Sequence, residues 1–312
     1  MPAGWAFRRV CPLMALRKQE VFIMAHSPQP RILRPALMLL TSHRMDCFEL
    51  CVWCLERFTD LQRFQTVYVL ANAVSPEHQA AIDAFAARHA QVRVIPCLPR
   101  GLLPAVMEAQ NAILARHADD GVVKIDEDVF VTPHWLDHLL AAHRLHRDNP
   151  GVLLASCPTP VSSTGKRCLR AFFRACYPEI AATCAASAVH DDPVYHRMVW
   201  EAVLTQGLTE RYAQFANAPY FYPESLIIQC VLYDRRALEA IGPFPVRPLR
   251  GTMVTDEVAV NMALRRTGSR AVLPAAGLVH HYSHAACLPA MLREVPVTRI
   301  RDWMDVAYAP MR

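Results

Sequence analysis

The sequence predicts an α/β fold, a mostly parallel sheet covered by helices. Three observations lead there. Apolar runs of strand length recur between residues 35 and 130, capped helix-length segments separate them, and the two kinds of segment alternate. Parallel neighbours need a crossover of about a dozen residues or more, which the intervening segments supply. With 312 residues and 53% hydrophobic content, the chain can bury one large core, and no internal repeat or low-complexity tract interrupts it.

The elements follow in order. "PALMLL" (35–40) is a buried strand that exits into "TSHR". Residues 46–59 form a helix: Cys47, Cys51 and Cys54 fall at i, i+4 and i+7, and with Leu50, Leu55 and Phe58 they make one apolar stripe. "TVYVLANA" (66–73) is the second strand. "SPEHQAAIDAFAARHA" (75–90) starts with Ser75 as N-cap and Pro76 at the first helical position. "VRVIPC" (92–97) is a strand, residues 103–118 a helix, and "GVVKIDEDVF" (121–130) the fourth strand. Residues 157–223 are rich in Cys, Ala, Pro and Tyr and read as a helical and loop insertion. Regular patterning returns at 225–244 as a strand, a short helix and a turn. A helix over 255–269, capped by Thr255 and closed by Gly268, follows, and 270–284 is a strand with its exit.

The net charge of +5 sits entirely in residues 1–34, where six basic side chains meet a single Glu20. This segment reads as a disordered leader that could touch anionic lipid at a membrane surface. The body shows no basic, aromatic-interleaved patch, so nucleic acid is not an expected partner. No apolar run approaches the ~18 residues of a membrane span, and no signal peptide is evident. The expectation is a cytoplasmic protein, peripheral to the membrane at most, whose eleven cysteines are free thiols.

In an open sheet of this kind, ligands bind beyond the carboxyl ends of the strands. The fourth strand ends in Asp126, Glu127 and Asp128, and strand alternation sends Asp126 and Asp128 to one side. Two carboxylates there make a hard-oxygen site for Mg²⁺ or Mn²⁺.

"VVKIDEDVFVTPHWLDHLL" resembles the D-x-D segment of GT-A-fold glycosyltransferases, and its Lys124 and "DVFV" resemble some Golgi galactosyltransferases. The wider layout is closer to family 2 glycosyltransferases. "CLERFTDLQ" with "TVYVLANA" resembles their first helix and second strand, and "LYDRRALEAIGPF" with "TDEVAVNMALRRTGSRAVLPAAGLVHH" their second half. The resemblance covers roughly residues 35–157 and 225–284. It implies a GT-A, nucleotide-diphospho-sugar transferase fold with a Rossmann-like sheet. The donor-binding half would be 35–156, an acceptor-side insertion 157–224, and a catalytic half with a tail 225–312.

The resemblance also implies roles. Asp128 is the main metal carboxylate, with Asp126 nearer the donor, and His280 or His281 completes the metal or diphosphate site. Thr41, Ser42 and Arg44 line the nucleotide pocket. Asn72 stands where an Asp usually contacts the base, and Arg100, Asn111 and Lys124 are further donor positions. Asp256-Glu257 is the catalytic acidic pair in inverted order, and either carboxylate could be the general base of an inverting transfer. The implied partners are a nucleotide-sugar donor, a UDP-sugar first, and a glycan, lipid-linked glycan or protein acceptor for polysaccharide biosynthesis.

Other readings are weaker. The C-x3-C-x2-C spacing of Cys47, Cys51 and Cys54 resembles the cluster loop of radical S-adenosylmethionine enzymes, but the helical stripe claims the same residues. A sugar nucleotidyltransferase would carry a Gly-rich loop after the first strand, and "TSHRMDCF" has no glycine. A non-catalytic nucleotide-sugar-binding protein would not need the acidic pair. His280, His281 and His284 lack a nearby Cys pair in zinc-finger spacing. "HDDP" (190–193) belongs to the insertion as an acceptor-side or solvated loop.

Overall fold

The computed structural model describes residues 34–308 apart from 187, 217–218, 249–251 and 253. The basic leader up to residue 33, its membrane contact, and residues 309–312 lie outside the described residues.

The first half alternates as the sequence predicts. Strand β1 (Ala36–Thr41) leads to α1 (Met45–Phe58), β2 (Val67–Ala71) to α2 (Pro76–Arg88), and β3 (Val92–Pro96) to α3 (Leu103–Arg116). Ser75 caps α2 by accepting from the His78 amide, as the Ser-Pro start requires. The predicted strand 121–130 is broken: β4 (Val122–Asp126) stops at a turn through Glu127 and Asp128, and β5 (Val129–Phe130) leaves for a second sheet. Helix α4 (Trp135–His146) and β6 (Val152–Ser156) complete this half.

The insertion is helical: α5 (Ser163–Cys168), α6 (Arg170–Cys176), α7 (Pro178–Ala186), α8 (Pro193–Gln206) and α9 (Leu208–Phe215), then the short β7 (Tyr220–Phe221). The second half holds β8 (Cys230–Tyr233), α10 (Arg235–Ile241), α11 (Asp256–Thr267), β9 (Arg270–Pro274), β10 (His280–His281), α12 (Leu288–Glu294) and α13 (Val297–Ala307). Among the described residues, no helix is long and apolar enough to cross a membrane.

The main sheet runs β3-β2-β1-β4-β8-β6-β9-β7. Strands β1 to β4 are mutually parallel, as are β6 and β9, whereas β8 lies antiparallel between β4 and β6. The sheet separates two cores. On one face Leu37, Leu39, Val67, Val69, Val123 and Ile125 pack with α1 and α2, and on the other Ala36, Met38, Leu70 and Val122 pack with α3 and α11. Each inner strand therefore reads as a continuous apolar run. The three spaced cysteines are part of this packing: Cys47, Cys51 and Cys54 are fully buried on α1, and the Cys54 thiol lies 3.6 Å from Met304 Sδ on α13.

The insertion closes over β10. Trp200 of α8 donates its indole N–H to the Tyr282 carbonyl at 2.8 Å. His196, one turn before Trp200, is fully buried. Burial, with His284 and His281 nearby, pushes its pKa down to about 3. In the unfolded chain this imidazole titrates near the usual ~6.5. The unfolded state therefore binds the proton first, so stability is intact above that value and falls as the pH drops toward 3. Between pH 7 and pH 5 the expected loss through His196 is about 2 kcal/mol. Urea melts at the two pH values should show a smaller difference in His196→Leu than in the parent; an unchanged difference refutes the assignment.

Candidate active site

The site forms where β1, β4, α11 and β10 converge. Lys124 is the buried centre of it. Alternation along β4 turns Val123 and Ile125 toward α1, so Lys124 and Asp126 fall on the opposite face. Its ammonium stands 2.9 Å from Asp126 Oδ1 and 3.3 Å from Asp256 Oδ2 on α11, with the Ile228 carbonyl at 3.4 Å. Burial alone would lower the lysine pKa, but Asp126 and Asp256 outweigh it and hold the group charged. For Asp126 burial wins, raising its carboxyl although Lys124 opposes. Asp126 Oδ1 is shut off from solvent, with the Lys124 ammonium as its close neighbour.

Asp128 is held differently. Because β5 pairs antiparallel with β10, with His281 opposite Val129, the imidazole reaches the Asp128 carboxylate at 3.1 Å. Burial would raise the Asp128 pKa, but the His281 pair outweighs it and keeps the carboxylate ionised. His281 is raised in turn by Asp128 against its own burial. The alternation that aims His281 at Asp128 turns His280 away. His280 is buried against Trp200, its Nε2 is 2.7 Å from the Thr209 hydroxyl, and burial lowers its pKa to about 4. His280 thus packs in the core of the insertion contact, away from Asp128.

Sequence reading missed Glu127. Its carboxylate takes the Thr41 hydroxyl at 2.6 Å, the Ser42 amide at 3.0 Å and the Arg44 amide at 3.4 Å, which pins the loop after β1 to the acidic turn. The signal was present as the middle acid of "DED", but only the tight turn shows that it points to β1. Thr41 is fully buried, with its hydroxyl shared between Glu127 and His78, so it supports the loop from beneath. Ser42 and Arg44 remain at the rim. Arg44 pairs with Asp46 through two contacts at 2.8 and 2.9 Å and lies over the Tyr282 ring.

Asn72 and Arg100 mark the neighbouring exits. Asn72 receives the Gly101 amide at 2.8 Å, joining the β2 exit to the loop after β3; Gly101 has φ +77°, which favours glycine. Arg100 is exposed on the same loop. Asn111 instead ties two elements together. Its amide group both donates to and accepts from the Phe244 backbone, which fastens α3 to the turn after α10. The donor role expected of it is not supported.

At α11, Thr255 caps the helix by accepting from the Val258 amide. Asp256 accepts from the Glu257 amide at 3.0 Å and faces Lys124. Glu257 faces a cavity of about 480 Å³ instead, whose lining includes Ser163, Thr164, His190, Asn261 and His284. Burial raises the Glu257 pKa, with Lys124 opposing and Asp256 adding to the rise. Asn261 ties the helix to the loop across the cavity by bonding both the amide and the carbonyl of Leu226.

The ionised Asp128, with the Asp126 carboxylate beside it on the same turn, supplies hard oxygens of the kind a divalent cation takes. Among the described residues, no three His, Cys, Asp or Glu side chains already converge as a complete metal cage. Asp126 and Asp128 would therefore bind as a partial set, the rest of the coordination coming from ligand or water, as is usual for Mg²⁺.

No family model matches the chain, and no curated protein matches it in sequence. Solved structures do. A mannosyltransferase from Pyrobaculum calidifontis, in complex with GDP-Man and Mn²⁺, aligns over 94% of this chain and 69% of its own with a TM-score of 0.51 at 15% identity. GalNAc-T7 with UDP, GalNAc and Mn²⁺ aligns over 89% of this chain at 11% identity and a TM-score of 0.48. The chain spans about half of that protein (51%). The chain has the GT-A fold, a large mostly parallel sheet flanked by helices.

Proposed function

We propose that this protein is a glycosyltransferase that moves a sugar from a nucleoside-diphosphate donor to a hydroxyl acceptor. The observation that carries the reading is the junction of two acidic ends through one buried cation. Lys124 ties the donor-side Asp126 to Asp256, and this fixes Glu257 at the wall of the open cavity. That division favours Glu257 over Asp256 as the base. Asp256 is occupied by Lys124 and the Glu257 amide, whereas the Glu257 carboxylate is the one that faces space for an acceptor.

In the reaction, Glu257 takes the proton of the acceptor hydroxyl as that oxygen bonds to the anomeric carbon. The bond from that carbon to the diphosphate oxygen breaks, and the diphosphate leaves with the electron pair. Attack from the side opposite the leaving group inverts the configuration. A base whose pKa is raised toward neutrality is better matched to this proton transfer than an ordinary carboxylate. Asp126 and Asp128 would hold a divalent cation, which supplies positive charge at the leaving diphosphate. Arg44, Ser42 and Asn72 stand at the exits where a nucleotide would lie. The donor class also agrees with the GDP-Man bound by the Pyrobaculum mannosyltransferase.

A screen of UDP- and GDP-sugars for hydrolysis and transfer tests this. Turnover is expected with Mn²⁺ and should drop by about 100-fold or more with EDTA or in Asp128→Ala. If no donor is bound or turned over, or if neither treatment matters, the reading fails.

A further inference from the structure

The insertion holds a second cavity, of about 260 Å³, apart from the one at Glu257. Three of its lining residues are cations, Lys166 on α5 and Arg170 and Arg174 on α6, and no carboxylate lines it. The other side of the pocket is apolar, including Phe173, which is buried, and Ala181 of α7. The charges are not spent elsewhere. Among the described residues neither Arg170 nor Arg174 has an ion pair or a side-chain hydrogen bond, while Lys166 donates to the Cys184 carbonyl.

This arrangement works against the fold. Arg170 and Arg174 stand four residues apart on α6, where like charges destabilise a helix, and Lys166 of α5 lines the same pocket. Nearby acids do not relieve it, since the carboxylates of 157–192 are Glu179, Asp191 and Asp192, none of which lines the pocket. An anion bound among the three would remove the repulsion. Two exposed guanidinium groups beside an ammonium suit phosphate oxygens, which they can engage with several charge-assisted hydrogen bonds. The apolar wall suits a hydrocarbon arm attached to that phosphate. From these features we infer that the pocket between α5, α6 and α7 binds the phosphate group of an ester that carries an apolar chain.

The location relates this pocket to the candidate active site. Helix α5 begins with Ser163 and Thr164, which line the Glu257 cavity, and carries Lys166 of the cationic pocket in its next turn. Gly165 makes the join close, because a Cβ there would overlap the Thr159 carbonyl. A phosphate ester anchored at Arg170 and Arg174 would lie alongside the acceptor cavity. Its role as an acceptor anchor rests on the transferase reading; its binding does not.

Isothermal titration of the full chain, with no nucleotide sugar present, provides the test. The probes are octyl phosphate, inorganic phosphate and octyl glucoside. Octyl phosphate should bind at least about 10-fold more tightly than either of the others, and Arg170→Gln/Arg174→Gln should remove that advantage. Both arginines are exposed, glutamine keeps the helix propensity and the like-charge repulsion is removed, so the double variant should melt no lower than the parent. Equal binding of octyl phosphate by parent and variant overturns the inference. So does octyl phosphate that binds no better than inorganic phosphate, or no better than octyl glucoside. A failed donor screen with octyl phosphate binding intact would sink the transferase reading alone.

Discussion

Glu257→Gln should lower sugar transfer by about 10²–10⁴-fold while leaving donor binding nearly unchanged. The amide keeps the size of the side chain at the cavity wall but cannot take a proton. Asp256→Asn should behave differently. Its carboxylate faces Lys124 at 3.3 Å and receives the Glu257 amide, so its loss disturbs the site and the fold together. The comparison is made by measuring kcat, donor Kd and thermal midpoint for both variants. A Glu257→Gln enzyme with transfer within a few-fold of the parent would remove Glu257 from the mechanism.

Lys124→Met should be the most destabilising single change in the site, by about 3–5 kcal/mol. The methionine fits the volume, but two carboxylates, Asp126 and Asp256, lose their common counter-charge in a place where Lys124 is 2% exposed. Removing one partner of a buried charge group is worse than removing all of them. Lys124→Met/Asp126→Asn/Asp256→Asn should therefore regain part of the loss although it keeps none of the pairs. Urea unfolding of the parent, the single and the triple variant reads this out. A single variant within 1 kcal/mol of the parent would show that Lys124 is not the electrostatic link between the two acidic ends.

Much of the fold can be read locally, because its signals are local. Ser75-Pro76 starts a helix by satisfying an N-terminal amide, and Thr255 does the same for α11. Apolar runs such as "PALMLL" have few options other than a strand buried on both faces. The cysteine stripe followed from helical period alone, and its burial on α1 agrees with packing rather than ligation. The acidic strand exit and the Asp256-Glu257 helix start were also visible, since both are short motifs in a defined local context.

What residues far apart do for each other was not visible. The sequence by itself determined the alternation of strands and helices, the caps, and which segments carry acids. Tertiary structure decided that β8 runs antiparallel between β4 and β6, because hydrogen-bond partners in a sheet are chosen by non-local packing. It also decided that the 121–130 segment breaks after Asp126, that His281 rather than His280 meets Asp128, and that Asn111 serves Phe244. Each of these depends on a partner brought close by the fold, 104 to 153 residues away for Lys124, His281 and Asn111. A side chain's chemistry is set by its identity, but its charge state and its role are set by those neighbours, and one-dimensional order does not contain their distances.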